Sequence, residues 1–131
     1  MRLLLDTHVW LWFVRGEATL PRAFDAAIRA PDNAVVLSIV SAWEVQIKAA
    51  IGKLEIPSPI DDFLDDAALH FDLLDISLRH VRALATLPMH HRDPFDRMLV
   101  AQARADGLTL LTVDPLVRAY GVACLPDQPA G

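Results

Sequence analysis

Short apolar runs alternate with stretches of helical period from one end of this chain to the other. Arg2 to Leu5 predicts a strand, and Thr7 to Val14 a helix stopped by Gly16. Pro21 to Ala30 reads as a short helix closed by Pro31 and the Asp32-Asn33 turn, and Ala34 to Ser38, apolar and β-branched, as a buried strand. From Ser41 to Ile51 the residues Trp43, Ile47, Ala50 and Ile51 recur at helical spacing, with Gly52 as the C-terminal cap. Pro57-Ser58-Pro59 breaks the chain before an acidic helix, Ile60 to His70. Leu73 to Ile76 is a third strand, and Ser77 to Thr86 a helix capped by Ser77. Leu87 to Arg92 is a loop, Pro94 to Asp106 a helix ending at Gly107, and Leu108 to Val113 a strand. A short helix from Pro115 and a strand near Val122 to Cys124 complete one domain, residues 1–125, and leave 126–131 as a flexible tail. Such alternation predicts an α/β fold, a central mainly parallel sheet flanked by helices.

Composition agrees with one folded domain. The chain has 131 residues, of which 53% are apolar, enough for a sizeable core, and only 22% charged, too few for disorder. No apolar run reaches the ~18 residues of a membrane span. Asp6 and His8 interrupt the apolar start, and no small-residue cleavage site follows, so a signal peptide is not expected. The lone Cys124 excludes an internal disulfide and a cysteine-rich zinc site, which makes a cytoplasmic protein the expectation.

Four acids change the picture. Asp6, Glu44, Asp96 and Asp114 are each predicted at a helix start, and three of them follow a predicted strand. Each has a structural explanation: Asp6 and Asp114 as N-caps, Ser41-Ala-Trp-Glu44 as a capping box, Asp93-Pro-Phe-Asp96 as cap, proline and first-turn acid. Yet caps are interchangeable among Ser, Thr, Asn and Asp, whereas here carboxylates recur. With parallel strands all four share the carboxyl edge of the sheet, where ligand crevices open. Gathered carboxylates repel unless a cation sits among them, and all-oxygen ligands suit Mg²⁺, with Mn²⁺ as a substitute. One or two ions are possible; a pair would clamp the attacking and leaving oxygens of a phosphodiester. The net charge of −5 is unusual for a nucleic-acid binder, but two divalent ions would bring it to −1, and Arg92, Arg97, Lys48 and Lys53 supply local positive charge.

Other conspicuous side chains read more plainly. His90 and His91 lie in the predicted loop, which offers no fixed ligand geometry, so they are expected near substrate rather than on a metal. His8 is expected as a partly buried polar side chain. Trp10, Trp12 and Phe13 make the first helix apolar nearly all round, as befits a buried helix or one that meets a partner.

The segments LLLDTHVWLW, SIVSAWEVQIKAAIGKL, HHRDPFDRMLVAQA and LLTVDP, in that order from Arg2 to about Tyr120, resemble the PIN-domain nucleases, in particular the VapC-type toxins of bacterial toxin–antitoxin pairs. The resemblance implies a PIN-like three-layer sandwich and a Mg²⁺-dependent endoribonuclease in which a metal-activated water attacks an RNA phosphodiester. It assigns the metal to Asp6 and Asp96, with Glu44 and Asp114 completing the anionic cage or holding a second ion, and Thr112 and Arg97 as supporting residues. It also implies a cognate antitoxin that blocks the pocket, and a homodimer. Two other classes fit less well. An aspartate-dependent phosphatase wants a second acid two residues after Asp6, where His8 stands. A non-catalytic Mg²⁺-binding receiver-like or scaffold module wants paired acids near the first strand and a late lysine, and no lysine follows Lys53.

Overall fold

The computed structural model describes residues 1–57, 59–126 and 128–131; Ser58, in the middle of the predicted Pro57-Ser58-Pro59 break, lies outside the described residues. Five parallel strands run in the order β3-β2-β1-β4-β5. They are β1 (Arg2–Leu5), β2 (Ala34–Ser38), β3 (Asp72–Leu74), β4 (Thr109–Leu111) and β5 (Cys124–Leu125). Central β1 is flanked by β2 and β4, with Leu4 opposite both Val36 and Leu110. The chain first builds outward on one side of β1, then crosses back to build β4 and β5 on the other. The order therefore reverses between β1 and β4, the place where open α/β sheets form a crevice beyond their carboxyl ends.

Alternation along β1 sends Leu3 and Leu5 to one face and Leu4 to the other, and all three are fully buried. Leu3 and Leu5 pack with Trp10 of α1 (Thr7–Arg15), Phe24 of α2 (Arg22–Arg29), Val45 of α3 (Ile39–Ala50) and Phe63 of α4 (Ile60–His70). Leu4 packs with Leu99 and Val100 of α6 (Pro94–Asp106), Val117 of α7 (Pro115–Arg118) and Tyr120, with α5 (Leu78–Ala85) against their margin. Two apolar layers on a sheet buried from both sides make the expected three-layer sandwich.

Boundaries differ from expectation where one residue serves two elements. α3 starts at Ile39, not Ser41, because Ser38 ends β2 and also caps the helix, its Oγ accepting the Val40 N–H at 3.0 Å. The predicted Ser41–Glu44 capping box is therefore absent: Ser41 lies inside the helix, its hydroxyl 2.8 Å from that of Thr7. In the stretch expected to be a flexible tail, Asp127 lies outside the described residues, and Gln128 and Gly131 are hydrogen-bonded to the domain. The Gln128 side chain donates to the carbonyls of Arg118 and Val122 at 3.0 and 2.9 Å, its backbone bridges Cys124, and Gly131 N–H reaches Gly121 O at 2.9 Å. At the end of α6, Gly107 adopts φ +65°, which lets the helix stop and turn straight into β4.

Candidate active site

Asp6 follows β1 directly, and its own N–H extends the ladder to Leu111 O at 3.1 Å, so it stands at the strand reversal. One carboxylate oxygen caps α1 through the His8 N–H at 3.0 Å; the other accepts the Thr112 hydroxyl at 2.7 Å. The residue is only 5% exposed. Burial raises its pKa, outweighing the hydrogen bonds from Thr112 and His8 that pull the other way. Thr112, fully buried just past β4, donates to Asp6 while its oxygen accepts the Asp114 N–H at 3.1 Å, so one hydroxyl couples the two strand ends.

Glu44 sits in the second turn of α3 rather than at its start, and it is 2% exposed. One oxygen takes the ammonium of Lys48, one turn on; Oε1 is buried with no hydrogen-bond partner. Desolvation lowers the Lys48 pKa, but that bond together with the charges of Glu44, Asp93 and Asp96 holds it above its usual value. Asp93 caps α6 through Phe95 and Asp96 N–H groups at 2.8 and 3.1 Å, which leaves the Asp96 side chain free to face the cluster. Burial, then repulsion from Asp6, Asp93 and Glu44, pushes the Asp96 pKa up to about 7, with His91 opposing. Asp114 caps α7 with one oxygen, 2.9 Å from Leu116 N–H, and turns the other inward. Capping and clustering thus coexist in the same carboxylates.

The residue that sequence reasoning placed too loosely is His91. Its Nε2 lies 3.0 Å from Asp96 Oδ2 and 3.1 Å from Asp114 Oδ2. Its Nδ1 accepts the Asp93 N–H at 3.1 Å, so the proton belongs on Nε2, which donates to both carboxylates. A loop does offer fixed geometry here. Tyr120 takes the His91 N–H on its hydroxyl at 3.0 Å, and Arg97 donates to that hydroxyl and to Pro88 O at 2.9 and 2.8 Å. Arg97 therefore supports the loop and not the acids. The signal in the sequence was proximity: His91 lies two residues before the helix cap Asp93, whose own backbone N–H holds the imidazole. His90 stacks edge-on against Tyr120, and His8, expected to be partly buried, is exposed.

The donor set suits a divalent cation. Oδ2 of Asp96 and of Asp114 converge on one point, 3.0 and 3.1 Å from His91 Nε2, and Glu44 Oε1 is a buried acceptor without a donor. A cation offsets both the repulsion on Asp96 and that orphaned oxygen.

A parallel sheet of this order with carboxylates at its reversal defines the class as a PIN-like α/β domain. The chain belongs to the PIN domain family, whose model matches residues 3–122. It is 28% identical over 96 residues to ribonuclease VapC16 of Mycobacterium tuberculosis, a match that takes in 73% of this chain and 56% of that protein. The chain thus spans little more than half the length of that curated relative. Among solved structures, VapBC2 from Rickettsia felis bound to a DNA fragment from its promoter superposes with a TM-score of 0.71 at 16% identity, covering 95% of this chain and 97% of that one. VapBC-1 from nontypeable Haemophilus influenzae gives 0.69 at 16% identity over 95% and 96%, and FitAcB from Neisseria gonorrhoeae 0.65 at 18% over 93% and 95%. These likenesses carry the fold.

Proposed function

We propose that this domain is a metal-dependent endoribonuclease and acts as the toxin of a toxin–antitoxin pair. The observation that carries the reading is the acidic cluster at the strand reversal, with Asp96 raised to about 7 by burial and by its acidic neighbours and Glu44 Oε1 left buried without a donor. Asp6 and Asp96 hold Mg²⁺, or Mn²⁺ in its place, and Glu44 and Asp114 complete the cage. When bound, the ion supplies Lewis-acid neutralisation at the scissile phosphate and lowers the pKa of water. The chain's own residues do the positioning. Thr112 fixes Asp6 and Asp114 relative to each other, Lys48 holds one Glu44 oxygen and leaves the other buried without a donor, and His91 donates to Asp96 and Asp114 while no cation does.

The similarity to ribonuclease VapC16 supports RNA as the substrate, and the VapBC neighbours support an antitoxin partner. An antitoxin arginine or lysine placed among these carboxylates would block them by charge pairing. A homodimer in the cytoplasm belongs to the same reading; among the described residues no helix is long and apolar enough to cross a membrane. An aspartate-dependent phosphatase wants a second acid two residues after Asp6, where His8 stands. The test is incubation of purified protein with structured RNA, with and without EDTA, alongside Asp6→Asn. Cleavage by the parent in Mg²⁺ and none by the folded variant is expected; equal cleavage by both refutes the assignment.

A further inference from the structure

Beside the acidic cluster lies a cavity of about 290 Å³ with Glu44 in its wall. His8, Trp12, Arg15, Lys48 and Lys53 line it. Those two lysines are the only lysines in the chain, so a protein of net charge −5 gathers both of them at one place. The cations differ in how far they are committed. Lys48 is bound to Glu44, and Arg15 donates to Glu55 O at 2.5 Å with Glu17 3.8 Å away. Lys53 is exposed and has no ion pair among the described residues. Its backbone is nevertheless fixed: Gly52 at φ +75° turns the chain off α3, and Lys53 N–H returns to Lys48 O at 2.9 Å. In the same cavity the rings of His8 and Trp12 lie 6.1 Å apart and tilted by 40°, Trp12 half-buried and His8 open to solvent.

Resting on the nuclease reading, we propose that this cavity is a subsite for one unpaired nucleotide of the RNA substrate, its base stacked on Trp12 and its phosphate held by Lys53 and Arg15. A free cation and a half-buried aromatic ring in one cavity are the combination by which proteins hold single strands, the cation tracking the backbone and the ring taking the base face. The volume sits near the lower end of the ~300–1,000 Å³ typical of small-molecule sites, room for one nucleotide rather than a duplex. Because Glu44 lines this cavity and its charge acts on Asp96, a nucleotide seated here places an adjoining phosphate near the acids. The subsite also accounts for how an acidic protein meets a polyanion: repulsion at the carboxylates is countered within the neighbouring cavity.

The experiment measures binding of a short fluorescent single-stranded RNA to the 131-residue Asp6→Asn protein, by anisotropy across a salt series, with Trp12→Leu, Trp12→Phe and Lys53→Gln added to that background. Trp12→Leu should weaken binding by roughly 5- to 100-fold, while Trp12→Phe, which keeps a stacking face, should restore most of the affinity. Lys53→Gln, at an exposed position that folding does not depend on, should flatten the plot of log K against log salt by about 0.7. A duplex of the same sequence should bind more weakly than the single strand. Unchanged affinity and salt slope in Lys53→Gln, with Trp12→Leu folded and binding as the parent does, would overturn the subsite while Mg²⁺-dependent cleavage by the native chain leaves the nuclease reading standing. Loss of binding to a poly-glutamate peptide in these variants, with RNA binding intact, would likewise overturn it, in favour of an acidic peptide as occupant. No RNA binding and no cleavage by the native chain would remove both.

Discussion

Asp96 should destabilise the metal-free protein, and removing its charge should make the fold stronger. Its carboxyl ordinarily titrates near 3.8; in the folded chain burial and the neighbouring acids move it to about 7. Between those values the folded state keeps a proton that the unfolded chain has released, so stability falls as pH rises through this window and the cost is fully felt above about 7. Three pH units correspond to about 4 kcal/mol. Asp96→Asn retains an oxygen to accept from His91 Nε2 but carries no charge. In EDTA the variant should exceed the parent by about 2–4 kcal/mol at pH 8 and by almost nothing at pH 4. For a chain of this length that is a rise on the order of 10 °C in melting temperature at the higher pH. Saturating Mg²⁺ should reverse the ranking, since it stabilises the parent by mass action and finds a weaker site in the variant. Calorimetric or circular-dichroism melts across pH, with and without Mg²⁺, read all of this directly. If Asp96→Asn is no more stable than the parent at pH 8 in EDTA, the carboxylates are not crowded as described, and the case for a cation among them loses its main support.

Two further outcomes test the scaffold of the site. Thr112→Val removes the donor to Asp6 and the acceptor for Asp114 N–H; it should cost about 1–3 kcal/mol in denaturant melts and weaken Mg²⁺ or Mn²⁺ binding by about tenfold or more in titration calorimetry. Unaltered metal affinity would show that Asp6 needs no such fixing. Away from the site, burial alone would raise the Asp106 pKa, but hydrogen bonds from Arg79 and His80 overcome that and hold it below its ordinary value. A depressed carboxyl contributes stability above its unfolded pKa of 3.8 and loses it as pH falls through the folded value. Asp106→Asn should therefore cost on the order of 1 kcal/mol at neutral pH and nothing near pH 2, measured by urea melts.

The elements and their parallel arrangement were legible because period and punctuation agree: apolar runs end in Asp or Ser, and helices end in Gly16, Gly52 and Gly107, all at positive φ. What the sequence blurred were residues with two duties. Ser38 closes β2, caps α3 and donates to Gln102 Oε1 at 2.5 Å, and nothing in a linear pattern separates those roles. Ser41 therefore looked like the cap, and Glu44 was placed a turn too close to the helix start. The acids were legible as a set because the strand order was; their contacts were not. His91 was obscured because its place depends on partners far along the chain, the Tyr120 hydroxyl and Asp114 Oδ2, rather than on its own loop.

The ring of His91 bears on how a cation enters. Its Nδ1 is occupied by the Asp93 N–H, so the nitrogen facing Asp96 and Asp114 carries the hydrogen and is a donor, not a ligand. In this arrangement the imidazole does for two carboxylates part of what a cation does, and a metal taking those oxygens competes with it. The same Asp93 both caps α6 and fixes that ring, so the start of one helix sets the conformation of the loop, the orientation of the imidazole and the direction in which Asp96 points. The Asp-Pro-Phe-Asp segment is better understood as one device with three outputs than as a cap beside a ligand, and this is why its acids cannot be assigned to structure or to function alone.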